Sequence, residues 1–343
     1  RMNYVSSLGK IFENYREKIY SSGFSTFEQL SLNKLESFLS KICSQFNETI
    51  FDNRKDNGLF DAYNTINIDS KNQSIDIKKL DLMLEGQVAG LSCESQKPYS
   101  TTSTLKSLFS SNLYRADMKS FILYPEKKIT PFLDKNIIEP DHLKKSILLR
   151  KMVDQKNTSI VEQDPDGNFR FNPKFRNIFD LINALKQLPK SEIEDIQFEK
   201  ELEHISNIYE LVFNHRNFTG RSGTMFSYEG IGSIYWHMVS KLLLATQENF
   251  FFAKNNNSSE KNNIQSLGRY YYKIREGLSA AKTPKEYGAF PFDPYSHTPS
   301  HSGAQQPGMT GQVKEEILTR FGELGCFVQN GCIIFDTALL SKK

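Results

Sequence analysis

Apolar positions recur at three- and four-residue steps through much of the first half of the chain. In "STFEQLSLNKLESFLSKICSQFNETIF" the residues Phe27, Leu30, Leu35, Phe38, Leu39, Ile42 and Phe46 share one face, which predicts an amphipathic helix with Ser25 or Thr26 as N-cap. Residues 75–92 form a second apolar-rich helical candidate, followed by the Ser/Thr-rich linker "SQKPYSTTSTLKS". The run 119–136 gathers β-branched and aromatic residues around Pro125 and Pro131, so it is expected to be extended. Two further extended runs in 158–172 flank Asp164-Pro165-Asp166-Gly167, a turn sequence that predicts a β-hairpin.

Helical spacing returns over 175–188, which stops at Pro189, and over 191–213, where Ser191 and Glu194 stand in capping-box register. Beyond Gly220, a glycine-rich turn leads into a helix from Ile231 whose apolar face is Ile234, Tyr235, Met238, Val239, Leu242 and Leu243. The last predicted helix, "MTGQVKEEILTRFGEL", sets Met309, Val313, Ile317, Leu318, Phe321 and Leu324 on its apolar face. The class is mainly α with a small β component. Composition divides the chain into an N-terminal helical region (1–115), a mixed hairpin and helix segment (116–190) and a C-terminal helical region (191–343).

Charge narrows the partners. Lys and Arg number 43 against 40 Asp and Glu, and a net +3 supplies no basic field for nucleic acid. The longest apolar runs fall far short of the ~20 residues that span a bilayer, so membrane insertion is not expected. The cysteines Cys43, Cys93, Cys326 and Cys332 show no CxxC spacing, which implies a reduced, cytoplasmic setting; a Cys326–Cys332 bridge is the alternative, and a periplasmic location if the chain is a fragment. Arg1 precedes Met2, in keeping with a processed or engineered chain or with a part of a longer polypeptide.

Candidate chemistry gathers in the last third. "PFDPYSHTPSHSGAQQPGMTGQ" (291–312) holds four of the twelve prolines and two of the six histidines. His297 and His301 have zinc-helix spacing, but Pro299 between them forbids the helix, so no metal and no cofactor are expected. What remains is a loop rich in donors and acceptors, with Tyr295, His297, His301, Gln305 and Gln306 suited to a polyol. Glycines before the helix that carries Trp236 and His237 leave backbone N–H groups for a polar or anionic ligand; Trp236 and His237 are expected in the substrate shell, and Arg221 would hold an anionic group there.

The segments "FTGRSGTMFSYEGIGSIYWHMVSKLLLA", "EYGAFPFDPYSHTPSHSGAQQPGMTGQVKEEILTRFGELG" and "GCIIFDTALL" resemble the C-terminal part of large bacterial proteins of the six-hairpin, α/α-toroid glycosidase superfamily, with cellobiose-phosphorylase-like enzymes as relatives. That resemblance implies α/α-toroid-like helical hairpins, here an incomplete ring whose missing hairpins precede Arg1. It further implies a glycoside hydrolase or phosphorylase acting on an oligo- or polysaccharide, with inorganic phosphate as the attacking group in the second case. The carboxylates in the resembling motifs are Asp293, as general acid, and Glu229, as base or phosphate-orienting group. Glu315 and Glu316 are set aside as solvated helix residues, with Glu316 placed to pair with Arg320. The alternative is a non-catalytic helical module that binds glycan or packs onto the rest of a larger protein.

Overall fold

The computed structural model describes residues 2–22, 29–69, 72–80, 82–93, 98–126, 130–131, 134–189, 193, 197–214, 232–256, 261–300, 302–307 and 310–340. The chain forms two compact units, one made of Arg1–Glu126 with Gly230–Lys343 and the other of the continuous stretch Lys127–Glu229. Contacts therefore do not follow the composition boundaries at 115 and 190. Long-range packing joins the two ends of the chain into one body, which local composition does not register.

The first unit opens with α1 (Met2–Ser22) and α2 (Leu32–Asp52), neither of which has a buried residue. Helix α2 starts at Leu32 with Ser31 as N-cap, later than the sequence pattern suggests. Strands β1 (Asn64–Asp69) and β2 (Ser74–Lys79) then pair antiparallel, Ile66 opposite Ile77 and Ile68 opposite Ile75. The helix expected over 75–92 is thus half strand: "SIDIKK" alternates with period two, and only α3 (Leu84–Leu91) is helical. Helix α4 (Pro98–Phe109) and the short strands β3 (Tyr114–Arg115) and β4 (Ser120–Phe121) complete this half.

The second unit contains α5 (Pro140–Lys145), α6 (Ile147–Asp154), β5 (Val161–Gln163), β6 (Phe169–Phe171), α7 (Ile178–Lys186) and α8 (Phe198–Phe213). The hairpin expected at 158–172 is present, with Val161 opposite Phe171 and Gly167 in the left-handed region at φ 88°. Its core centres on Leu148, Leu149, Ile160, Phe171, Leu181 and Ile205. Ser146 caps α6 by accepting from the Leu149 amide, and buried Glu201 on α8 accepts from the Ser146 hydroxyl at 2.6 Å and the Ile147 amide at 3.2 Å.

The chain returns to the first unit through β7 (Ile234–Tyr235), which runs straight into α9 (Trp236–Asn255). The residues on either side of the second unit are paired to one another. Leu123 N–H donates to Ser233 O at 2.8 Å, Gly232 N–H donates to Tyr124 O at 3.2 Å, and Ile122 bridges Ile234. Helix α9 is the centre of the unit's core, buried along most of its length and packed by α3, α4, α10 (Lys261–Arg275) and α12 (Thr310–Leu324). Between the last two come the short α11 (Pro284–Tyr287), β8 (Tyr295–Thr298) and β9 (Gln305–Pro307).

Helix α12 packs opposite to its sequence expectation. It buries Gln312, Glu315 and Thr319 against α9 and leaves Val313, Ile317, Leu318, Phe321 and Leu324 exposed. The reason lies on α9, whose facing surface is polar: Gln247 donates to Thr319 O at 2.8 Å. At Gly322 a Cβ would collide with the end of the Gln247 side chain, so any larger residue there would drive that amide from its bond to Thr319. The hairpin of β10 (Cys326–Gln329) and β11 (Cys332–Phe335) follows. All four cysteines are free, so the Cys326–Cys332 bridge is not formed. Among the described residues, no helix is long and apolar enough to cross a membrane.

Candidate functional site

Strands β7, β8 and β9 form one antiparallel sheet with β8 in the middle. Its register sets Tyr235 opposite His297, His297 opposite Gln305, and Tyr295 opposite Pro307. Successive side chains on a strand point to opposite faces. Ile234, Ser296 and Thr298 accordingly turn inward and are buried, while Tyr235, Tyr295 and His297 are half-buried and Gln305 is exposed. The result is a cross-strand row, Tyr235, His297, Gln305, on one face of the sheet.

Contacts within the row are specific. The Tyr235 and His297 rings stack with centroids 4.9 Å apart and planes within 17°. His297 Nδ1 lies 2.7 Å from Ser296 Oγ, which holds the imidazole in its plane. His237, in the first turn of α9, reaches the same region: its Nδ1 is 3.4 Å from the Tyr235 hydroxyl and its Nε2 is 3.8 Å from Glu315 Oε1 on α12. Burial and the Lys241 ammonium hold the His237 pKa below its usual value, against a smaller opposing pull from Glu315. Both effects favour the neutral imidazole.

The inner face anchors this arrangement. Trp236 is completely buried, donates from Nε1 to Thr298 Oγ1 at 2.9 Å and packs edge-on against Tyr287 at 5.1 Å. It belongs to the core rather than to a substrate shell, because it stands one step along the chain from Tyr235 and that step reverses the face. Asp293 lies exposed in the loop before β8, between Phe292 and Pro294, and its N–H donates to Phe290 O at 3.1 Å. Gln306 lies in β9. Arg221, Glu229 and His301 fall outside the described residues.

Two residues that the sequence pattern misplaced or passed over complete the cluster. Tyr235 has helical spacing with Met238 and Val239, yet its strand pairing turns it to the open face. Glu315 is buried, not solvated, and Glu316 is also partly buried, with its carboxyl pushed up by that burial; Arg320 pairs with Glu323 instead, at 3.5 Å. The signal for Glu315 was legible in principle, since Gln312, Glu315, Thr319 and Gly322 recur at three- and four-residue steps as a second, polar stripe.

Flat rings beside neutral donors and acceptors suit a ligand with apolar C–H faces and many hydroxyls. A cleft of about 690 Å³ also exists in this unit, lined by Phe250, Gly268, Arg269, Tyr272 and Leu339 among others, but it includes none of the sheet residues. Among the described residues, no His, Cys, Asp and Glu cluster could hold a metal ion.

Residues 129–216 match the family model described as GH149 phosphorylase insertion domain 2. The matched stretch lies wholly within the second compact unit, Lys127–Glu229. That part of the chain is thus related to an insertion domain of a glycoside hydrolase and phosphorylase family. No curated protein matches the chain.

Proposed function

We propose that the protein is a carbohydrate-active protein of the glycoside phosphorylase type, in which the Tyr235, Tyr295, His297 and Gln305 face contacts sugar. One observation carries this reading. The segment that matches a phosphorylase insertion domain is, in this chain, an insertion in sequence: a continuous unit, Lys127–Glu229, that interrupts a discontinuous one, whose residues 122–124 and 232–234 on either side of the interruption pair with each other. In this reading the helices around α9 are part of an α/α toroid, inorganic phosphate is the co-substrate, and Asp293 with Glu229 form the acid–base pair.

A second reading, a sugar-binding module without turnover, is favoured by the exposure of Asp293. A general acid that works near neutral pH ordinarily needs a desolvated carboxyl. The test is a panel of neutral oligosaccharides with the purified chain, with and without inorganic phosphate. Phosphate-dependent sugar release that disappears in Asp293→Asn supports the first reading. Binding without release, unaltered in Asp293→Asn, supports the second, and no binding to any member of the panel refutes both.

A further inference from the structure

Glycine weakens the middle of a helix relative to alanine, so a helix that carries one there has a use for its backbone freedom or for the room it leaves. Gly268 stands at the centre of α10 and is not among the glycines with positive φ. Close packing does not require it either. A Cβ at this position would lie 3.5 Å from Phe250 Cε2 on α9 and 4.0 Å from Leu339 Cδ1, which is ordinary contact. What the glycine leaves is depth: it forms the floor of the cleft of about 690 Å³, together with the Phe250 ring and Leu339. That volume lies within the ~300–1,000 Å³ of small-molecule sites.

The wall of the cleft is charged. Arg269 and Lys273 follow Gly268 along α10, with Glu276 just beyond the helix end and Lys254 on α9. Lys254 is paired with Asp336, and the Lys273 ammonium lies 4.1 Å from the centre of the Phe109 ring. Arg269 has no hydrogen bond or ion pair among the described residues. Three cations, Lys254, Arg269 and Lys273, against the two carboxylates Asp336 and Glu276 leave one positive charge in excess.

We propose that this cleft binds a small organic monoanion, a carboxylate carried on an apolar ring or chain, with its body on Phe250, Gly268 and Leu339 and its carboxylate on Arg269. A guanidinium offers two parallel N–H groups that match a carboxylate. One excess positive charge suits a monoanion, and Glu276 disfavours a second negative charge on the ligand. The carbon floor gives the hydroxyls of a neutral sugar no partner. The site is separate from the Tyr235, His297 and Gln305 face and stands whether or not that face takes carbohydrate.

The Gly268 amide in ¹H–¹⁵N spectra of the labelled full chain reports on the cleft floor, and its disappearance in Gly268→Ala assigns it. The probes are naphthoate and its neutral isostere naphthamide. Naphthoate should shift the Gly268 signal saturably, and naphthamide should bind about tenfold more weakly. Arg269→Gln should bring the naphthoate affinity down to that of naphthamide. Gly268→Leu, which fills the floor, should abolish binding of both probes, as read by calorimetry. Gly268→Ala, whose Cβ makes only ordinary contact, should weaken both and serves if the leucine variant does not fold. An unmoved Gly268 signal up to the solubility limit of naphthoate overturns the proposal, as does equal affinity for the two probes or wild-type affinity in both Gly268 variants. A neutral oligosaccharide that shifts Gly268 where naphthoate does not would assign the cleft to sugar and equally overturn it.

Discussion

Thr298→Val removes one hydrogen bond and almost nothing else from the sheet that carries the candidate site. Thr298 and Trp236 are both fully buried, and the indole N–H donates to the threonine hydroxyl at 2.9 Å. Valine keeps the branching and nearly the volume, so the packing around β8 is retained while the acceptor is lost. A buried N–H left without a partner costs ~1–3 kcal/mol. In a body of ~150–250 residues each kcal/mol moves the melting temperature by ~2–4 °C. The variant should therefore melt ~2–12 °C below the wild type. Trp236 is the only tryptophan, so its fluorescence reports on this locus and no other. Differential scanning calorimetry gives the stability change and tryptophan emission shows whether the indole has moved. Gln305→Ala, on the exposed face of the same sheet, is the control and should stay within ~0.5 kcal/mol of wild type. A Thr298→Val melting temperature within about 1 °C of wild type, with unshifted emission, would refute the claim that this bond locks the site sheet to α9.

Gly90→Ala should destabilise by ~1–3 kcal/mol in denaturant melts, because the new Cβ would stand 2.5 Å from the Phe60 ring in a filled core; a change under ~0.5 kcal/mol would mean that the ring has room to move. Glu201→Ala should raise hydrogen exchange of the α6 amides about 30-fold, the equivalent of ~2 kcal/mol, since Ser146 and Ile147 lose their buried acceptor; unaltered protection would contradict that role. Burial tends to raise the Asp61 carboxyl, but hydrogen bonds and charge from Lys79 and Lys55 outweigh it and hold the pKa below the ordinary 3.8. Its stabilising contribution is whole above that value and is lost as the pH falls through the lower folded value. The stability gap between wild type and Asp61→Asn, read as melting temperature against pH, should thus be constant from pH 7 to about pH 5 and shrink below 3.8; a gap that widens on acidification would be incompatible with the pairing.

Sequence by itself determined most of what depends on neighbours along the chain. The Asp164-Pro165-Asp166-Gly167 turn specifies its hairpin, because Gly167 accepts a positive φ and the flanking runs alternate. The helical periodicity around 178–186 and 236–255 specifies helices, because one apolar face must be buried somewhere. The concentration of Tyr295, His297 and Gln305 in one irregular segment marked the stretch from which the open face of the sheet is built.

Only the tertiary structure decided which side chains face each other. Tyr235 and Trp236 are adjacent in sequence and equally aromatic, yet a strand pairing with residues more than sixty positions away sends one to the surface and the other into the core. Helix α12 carries two stripes, and its own periodicity favours the apolar one; the polar stripe is buried because α9 offers Gln247 and a close approach at Gly322. Glu315 reaches His237 for that reason alone. The run at 122–124 reads as extended from its own residues, but its pairing with 232–234 has no local signal, since that second stretch is too short to declare itself. Long-range partners set the orientation of these groups, and a single residue's step along a strand is enough to reverse it.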